Sequence, residues 1–128
     1  MSSQSPTVVP VLSYRDPRAA LDFLERAFGF TTLAAHEAED GTVVHAEMRR
    51  GDGVVMFGQA RDEGLMAGSG PTTVYVVVDD PDALHAAAEA AGAEIVMPLT
   101  DMDYGSREFA ARDPEGNLWS FGTYAPKL

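Results

Sequence analysis

No cysteine occurs among the 128 residues. That absence removes disulfide staples, thiolate metal ligands and cysteine nucleophiles, and a thiol-free chain suits the reducing cytoplasm. Nor does any apolar run approach the ~18 residues that a membrane-crossing helix needs. The opening MSSQSPT lacks the basic start and apolar stretch of a secretory signal. The expectation is a cytoplasmic protein with no membrane attachment. Basic residues are scarce as well: 9 Lys and Arg stand against 20 Asp and Glu, a formal net charge of −11. A field of that sign repels phosphate backbones, so nucleic acid is not an expected partner. It serves solubility or, more specifically, an acidic pocket for a cationic ligand. GxGxxG fingerprints, Walker loops and nucleophile elbows are all missing.

What is present is enough for one ordinary domain. Apolar residues make up 45% and charged residues 23%, the balance of a folded globule. The chain also repeats itself. Asp16-Pro17 is answered by Asp80-Pro81, and Val54-Val55-Met56-Phe57-Gly58 by Leu118-Trp119-Ser120-Phe121-Gly122, both at an offset of 64 positions. Two distant anchors sharing an offset of half the chain point to an old duplication.

Each half reads as strand, helix and three strands. Val8 to Arg15 begins apolar and β-branched, a strand signature. Asp16 offers an N-cap oxygen and Pro17 suits the first helical position; Leu21, Leu24 and Phe28 follow at helical spacing, and Gly29 is a left-handed stop. Strands are expected near 30–37, 42–50 and 53–59. The second half gives a strand over Thr72 to Val78, a helix from Asp80-Pro81 to Gly92, and strands near 93–98, 106–112 and 118–124. Gln59 to Pro71 carries Gly and Pro without periodicity and reads as a linker. A four-stranded sheet with one helix leaves a second face to bury or to line a cavity. The expected fold is thus α+β, two βαβββ modules forming a cupped half-barrel cleft. It is one domain over 1–128, with module one at about 7–59, the linker at about 60–71 and module two at about 72–124.

The entry Val11-Leu12-Ser13-Tyr14-Arg15-Asp16, the helix end Ala27-Phe28-Gly29-Phe30, the strand Tyr75-Val76-Val77-Val78-Asp79-Asp80 and the ending Phe109 to Trp119 with its Asp-Pro-Glu-Gly-Asn turn span nearly the whole chain. In this order, twice over, they resemble the vicinal oxygen chelate (VOC) superfamily of glyoxalases, bleomycin resistance proteins and extradiol dioxygenases. The resemblance implies paired βαβββ modules, a small-molecule cleft and a homodimer. It also implies a choice between enzymes and metal-free binders, including antibiotic-resistance proteins.

Metal-dependent members place ligands, typically His, Gln or Glu, on the first and last strand of each module. Matching those positions gives Val9 and Met56 in module one, Thr73 and Ser120 in module two. None suits a catalytic divalent metal, so no metal ligand and no cofactor is assigned; a divalent metal at some other site is the alternative.

Strand alternation sets Val44, Ala46 and Met48 toward the helix and His45 and Glu47 toward the cleft. An imidazole and a carboxylate there could bind a cation or exchange a proton, and they fit a solvated polar face equally. His36 and His85 read as surface residues. Alternation also sets Tyr75, Phe109, Leu118 and Ser120 on the cleft face, with Trp119, Phe57 and Phe121 toward the helices. Tyr104 is placed at the cleft mouth, where related proteins carry an aromatic residue, and Arg107 beside it would pair with an anionic group or a nearby carboxylate. The expected ligand-binding set is His45, Glu47, Tyr75, Tyr104, Arg107, Phe109, Leu118 and Ser120. Two readings follow: a metal-free protein that sequesters a drug-like or cationic molecule, and a lyase, isomerase or dioxygenase that works through His45 and Glu47.

Overall fold

A computed structural model of the chain describes residues 6–64 and 71–127. The elements run β1 (Val11–Tyr14), α1 (Pro17–Phe28), β2 (Thr31–Glu37), β3 (Val43–Arg50), β4 (Gly53–Gln59), β5 (Thr73–Val77), α2 (Pro81–Ala90), β6 (Glu94–Asp101), β7 (Arg107–Arg112) and β8 (Leu118–Gly122). Two mixed sheets result, ordered β1-β4-β3-β2 and β5-β8-β7-β6, each with one parallel pair. This is the α+β arrangement of two βαβββ modules. Part of the linker read from sequence, 65–70, lies outside the described residues.

Both helices begin as their sequences dictate. The Asp16 carboxylate accepts from the Ala19 amide and the Asp80 carboxylate from the Ala83 amide, each at 3.1 Å, and a proline follows each cap. Gly29 ends α1 in the left-handed region at φ 74°. The first strand is shorter than its apolar run suggests. Pro10 has no N–H to donate, so pairing starts after it, and Pro10 contributes only its carbonyl, to the Met56 amide at 3.0 Å.

The chain divides into two compact units. In the first, Leu12, Tyr14, Ala46, Met48, Val55 and Phe57 form one buried sheet face, with Tyr14 edge-on to Phe57 at 4.9 Å. Thr32, which pairs with Met48, donates to Glu25 of α1, so the helix lies on this face. The alternation expected for β3 breaks at one point. His36 pairs with His45 but Glu37 pairs with Val43, so Val44 is an inserted residue. This bulge buries Val43 and turns Val44 outward at 43% exposure, where Val44 had been expected to face the helix. Gly58 permits it: a Cβ there would lie 2.7 Å from the Val44 carbonyl oxygen.

The second unit includes the last turn of α1, Arg26–Phe28. The Phe28 ring lies 4.8 Å from Phe121 and 5.5 Å from Trp119, and Phe121 stacks on its cross-strand partner Phe109 at 5.0 Å. All four side chains are fully buried, each worth about 1.5–3 kcal/mol of hydrophobic stabilisation. The Asp-Pro-Glu-Gly-Asn turn closes below them. Buried Asp113 accepts from the amides of Glu115 (3.0 Å) and Asn117 (3.1 Å), the Asn117 side-chain amide (3.0 Å) and Trp119 Nε1 (3.1 Å). Gly116 supplies the positive φ, at 92°.

Replacing Asp113 by Ala orphans several of these buried donors at once. Urea unfolding, followed by the fluorescence of the single tryptophan, should show a loss of about 2–4 kcal/mol. A loss below about 0.5 kcal/mol would mean that the turn holds without its carboxylate.

Candidate ligand-binding site

On the second sheet the face opposite the aromatic core is set by register. Tyr75 pairs with Ser120, Ser120 with Ala110, and Glu108 with Gly122, so these residues share one side. Gly122 decides what gathers there. A Cβ at this position would lie 2.6 Å from both Glu108 Cγ and the Tyr75 hydroxyl, far closer than any side chain tolerates. The missing methyl is the space in which Glu108 and Tyr75 converge.

A turn delivers the third group. The Met102 amide donates to the Ser106 carbonyl at 2.7 Å, the Gly105 amide to the Met102 carbonyl at 3.1 Å, and Gly105 takes φ 90°. Tyr104 is thereby held over the sheet, where its hydroxyl donates to Glu108 Oε2 at 2.8 Å. The chain leaving β8 brings Tyr124, whose ring meets Tyr104 edge-to-face at 6.3 Å. Its carbonyl accepts from the Tyr75 hydroxyl at 2.8 Å, and its amide donates to Ser106 Oγ at 3.0 Å. Tyr75, Tyr104, Glu108 and Tyr124 line an open cavity of about 520 Å³, all within the second unit.

Burial, reinforced by the negative charge of Glu108, raises the Tyr75 phenol above its ordinary value, against a side-chain hydrogen bond from Ser106. The hydrogen bond to Glu108 is the main cause that raises Tyr104, with desolvation next. Both phenols therefore stay protonated at neutral pH as hydrogen-bond donors.

Of the residues expected from sequence, Tyr75 and Tyr104 meet in this cavity. Leu118 and Ser120 lie on the same sheet face without lining it. Phe109 does not belong to it: directly opposite Phe121, it is buried on the helix side, where His85 of α2 packs edge-on against it at 5.1 Å. Arg107 shares the helix side. Its guanidinium grips both carboxylate oxygens of Asp82 (2.7 and 3.2 Å) and one of Asp101 (3.0 Å), which raises its pKa and lowers that of Asp82. The nearby-carboxylate expectation for Arg107 thus describes it, and the ligand-facing one does not. Sequence reasoning misses Glu108, Tyr124 and Gly122. The signal that reaches Glu108 is the phase of β8, since a partner of Phe121 must face the core and its neighbour must face away.

His45 and Glu47 stand on the first unit's sheet, on the face opposite Ala46 and Met48, with His45 Nε2 2.9 Å from Glu47 Oε2. The His36 ring lies 5.8 Å from that of His45. A cavity of about 590 Å³ in the same unit is lined by the exposed Val44 and by polar residues that include Arg61, Asp62 and Glu63. Its lining mixes both charges and offers no aromatic ring. Of the residues that matching by sequence sets at the metal-ligand positions, Val9 lies before β1, Thr73 opens β5, Met56 pairs with Val11 and Ser120 pairs with Tyr75. These donors do not fit a catalytic divalent metal. Among the described residues no group of three or more His, Asp or Glu is placed to hold one elsewhere. No described helix is long and apolar enough to cross a membrane.

The sequence signature of the Glyoxalase/Bleomycin resistance protein/Dioxygenase superfamily matches residues 7–121. TioX from Micromonospora sp. ML1 is 37% identical, covering 94% of this chain and 100% of its own, with a TM-score of 0.85. The bleomycin-binding protein of bleomycin-producing Streptomyces verticillus, solved as a complex with copper(II)-bleomycin, is 28% identical over 97% of this chain and 98% of its own, with a TM-score of 0.65. A lactoylglutathione lyase from Agrobacterium tumefaciens shares the fold, with a TM-score of 0.67, at 18% identity over 94% of this chain and 95% of its own. Comparison with curated proteins gives no match.

The phenols give a direct check on the site. In a spectrophotometric titration of the 4 tyrosines, Tyr75 and Tyr104 should ionise late. Tyr104→Phe should remove one late component. Because folding raises these values, their contribution to stability is complete below about pH 10 and disappears as pH climbs through the folded values. A Tyr104→Phe curve that loses only an ordinary phenol would contradict the Glu108 contact.

Proposed function

Because the chain belongs to the glyoxalase/bleomycin resistance protein/dioxygenase superfamily, we propose that it is a small-molecule binding protein whose ligand sits against Tyr75, Tyr104, Tyr124 and Glu108. The observation that carries this reading is the cavity itself: three phenol rings and one buried carboxylate around about 520 Å³. A site built this way offers large, rigid apolar area with a few fixed polar atoms, which is what recognition of a drug-sized molecule requires. Sequestration needs only affinity, so the reading asks for no acid, base or metal. The bleomycin-binding protein, similar along nearly its whole length, supports a bulky natural product as the kind of ligand.

One observation favours a second reading. His45 and Glu47 touch at 2.9 Å on a half-exposed face, the geometry of a general acid–base pair. An enzyme that used them would lose turnover in His45→Ala and Glu47→Gln while keeping its stability.

The test is a thermal-shift and calorimetric screen with bleomycin, free and copper-loaded, and a panel of aromatic natural products. For any compound that binds, Tyr124→Ala should cost about 1–2 kcal/mol, roughly tenfold in affinity, with His45→Ala neutral. Affinity that ignores Tyr124 and falls with His45 would move the site to the first unit and favour the enzyme.

A further inference from the structure

The second unit's cavity holds a charge that its own lining does not balance. Glu108 is only 6% exposed, fixed in the space that Gly122 leaves empty, and the three residues lining the cavity with it are neutral phenols. Arg107, its chain neighbour, points to the other side of the sheet and is already shared between Asp82 and Asp101. A buried carboxylate is costly unless donors or a cation face it.

The donors at the site differ in how firmly they are held. Tyr75, 38% exposed as a residue, is anchored, its hydroxyl tied to the backbone carbonyl of Tyr124. Tyr104 stands on a turn at 57% exposure and reaches Glu108 by its hydroxyl alone. A neutral phenol from a surface turn occupies one of the roughly four acceptor positions a carboxylate offers. A donor that also carries positive charge binds the same oxygen about twice as strongly.

We propose that Tyr104 is a displaceable plug on Glu108, and that the ligand is a planar aromatic molecule bearing a protonated nitrogen, which takes Glu108 from the Tyr104 hydroxyl while its ring lies among the phenols. This deepens, and rests on, the reading of the cavity as a small-molecule site. The cation meets a carboxylate that is itself largely shielded from water, and the faces of the tyrosines add cation–π attraction. The formal net charge of −11 draws such a ligand in and keeps anionic competitors out. The raised Tyr104 phenol reflects the same hydroxyl engaged as donor to Glu108.

The experiment is calorimetry at low ionic strength with two bicyclic probes of one shape: 4-aminoquinoline, protonated at neutral pH, and neutral 1-aminonaphthalene. Wild type should prefer the cation by about tenfold. Glu108→Gln, close to isosteric, should bring the two probes within about twofold of each other, and Tyr104→Phe, which keeps the ring and removes the competing hydroxyl, should tighten the cation a few-fold. Equal binding of both probes to wild type, or a preference that survives Glu108→Gln at an unchanged melting temperature, overturns the inference and leaves the binding site standing. Failure of 4-aminoquinoline to bind wild type also overturns it, and the site as a whole is then judged by the wider screen. Tyr104→Phe that weakens the cation would make Tyr104 a ligand contact and end its role as a plug.

Discussion

The buried carboxylate of Asp113 is the constraint on which the second unit depends. One side chain closes the β7–β8 turn through backbone amides, holds the indole of Trp119 in the core and positions Asn117. Asn117 in turn accepts from the Thr72 amide at 2.9 Å, just before β5, so the turn also fixes where the parallel strand enters. Register then follows for all three strands. Slipping β8 by one residue would send Trp119 and Phe121 to the open face and break the pairing of Glu108 with Gly122. The cost of burying Asp113 is met by several donors, and what the arrangement secures is a defined sheet face.

The duplication makes the role of that face clearer. Phe57-Gly58 and Phe121-Gly122 are equivalent in the two modules, the phenylalanine packed in the core and the glycine beyond it on the opposite face. The same missing Cβ is used in two ways. Beside Gly58 it admits the Val44 carbonyl and so a backbone bulge; beside Gly122 it admits the side chains of Glu108 and Tyr75. One ancestral position, small in both copies, thus serves strand geometry in one half and a polar cluster in the other. A repeat predicts equivalent backbones, but it does not predict equivalent chemistry.

Much of the fold was legible because local signals agreed with one another. Asp-Pro pairs opened both helices, Gly29 closed α1, and the repeat fixed the order of strands. The phase of individual strands was harder to read. In Glu-Phe-Ala-Ala-Arg the two alanines give no alternation between large and polar residues, so nothing within β7 says which side Phe109 takes. Only pairing with Phe121 settles it, and pairing is a non-local fact. Val44 illustrates the same limit, since a bulge is decided by a glycine one strand away. Tyr124 escaped notice because it lies beyond the end of β8, where strand periodicity no longer applies. Of the site, then, sequence yielded Tyr75 and Tyr104 but missed the acid between them.

Arg107 and Glu108 show how a strand can create a site from an ordinary charge pair. Adjacent in sequence, they would cancel in a loop. On β7, alternation sends them to opposite faces, and each meets a different environment. Arg107 finds Asp82 on the helix and Asp101 on the edge strand, so its charge is spent on holding α2 and β6 to the sheet. Glu108 finds tyrosines, which donate a hydrogen bond but bring no positive charge. The strand separates the pair by the thickness of the sheet, stabilising one side and leaving the other with a fixed negative charge in an aromatic setting. That asymmetry, rather than the acidity of the chain as a whole, gives the cavity its sign.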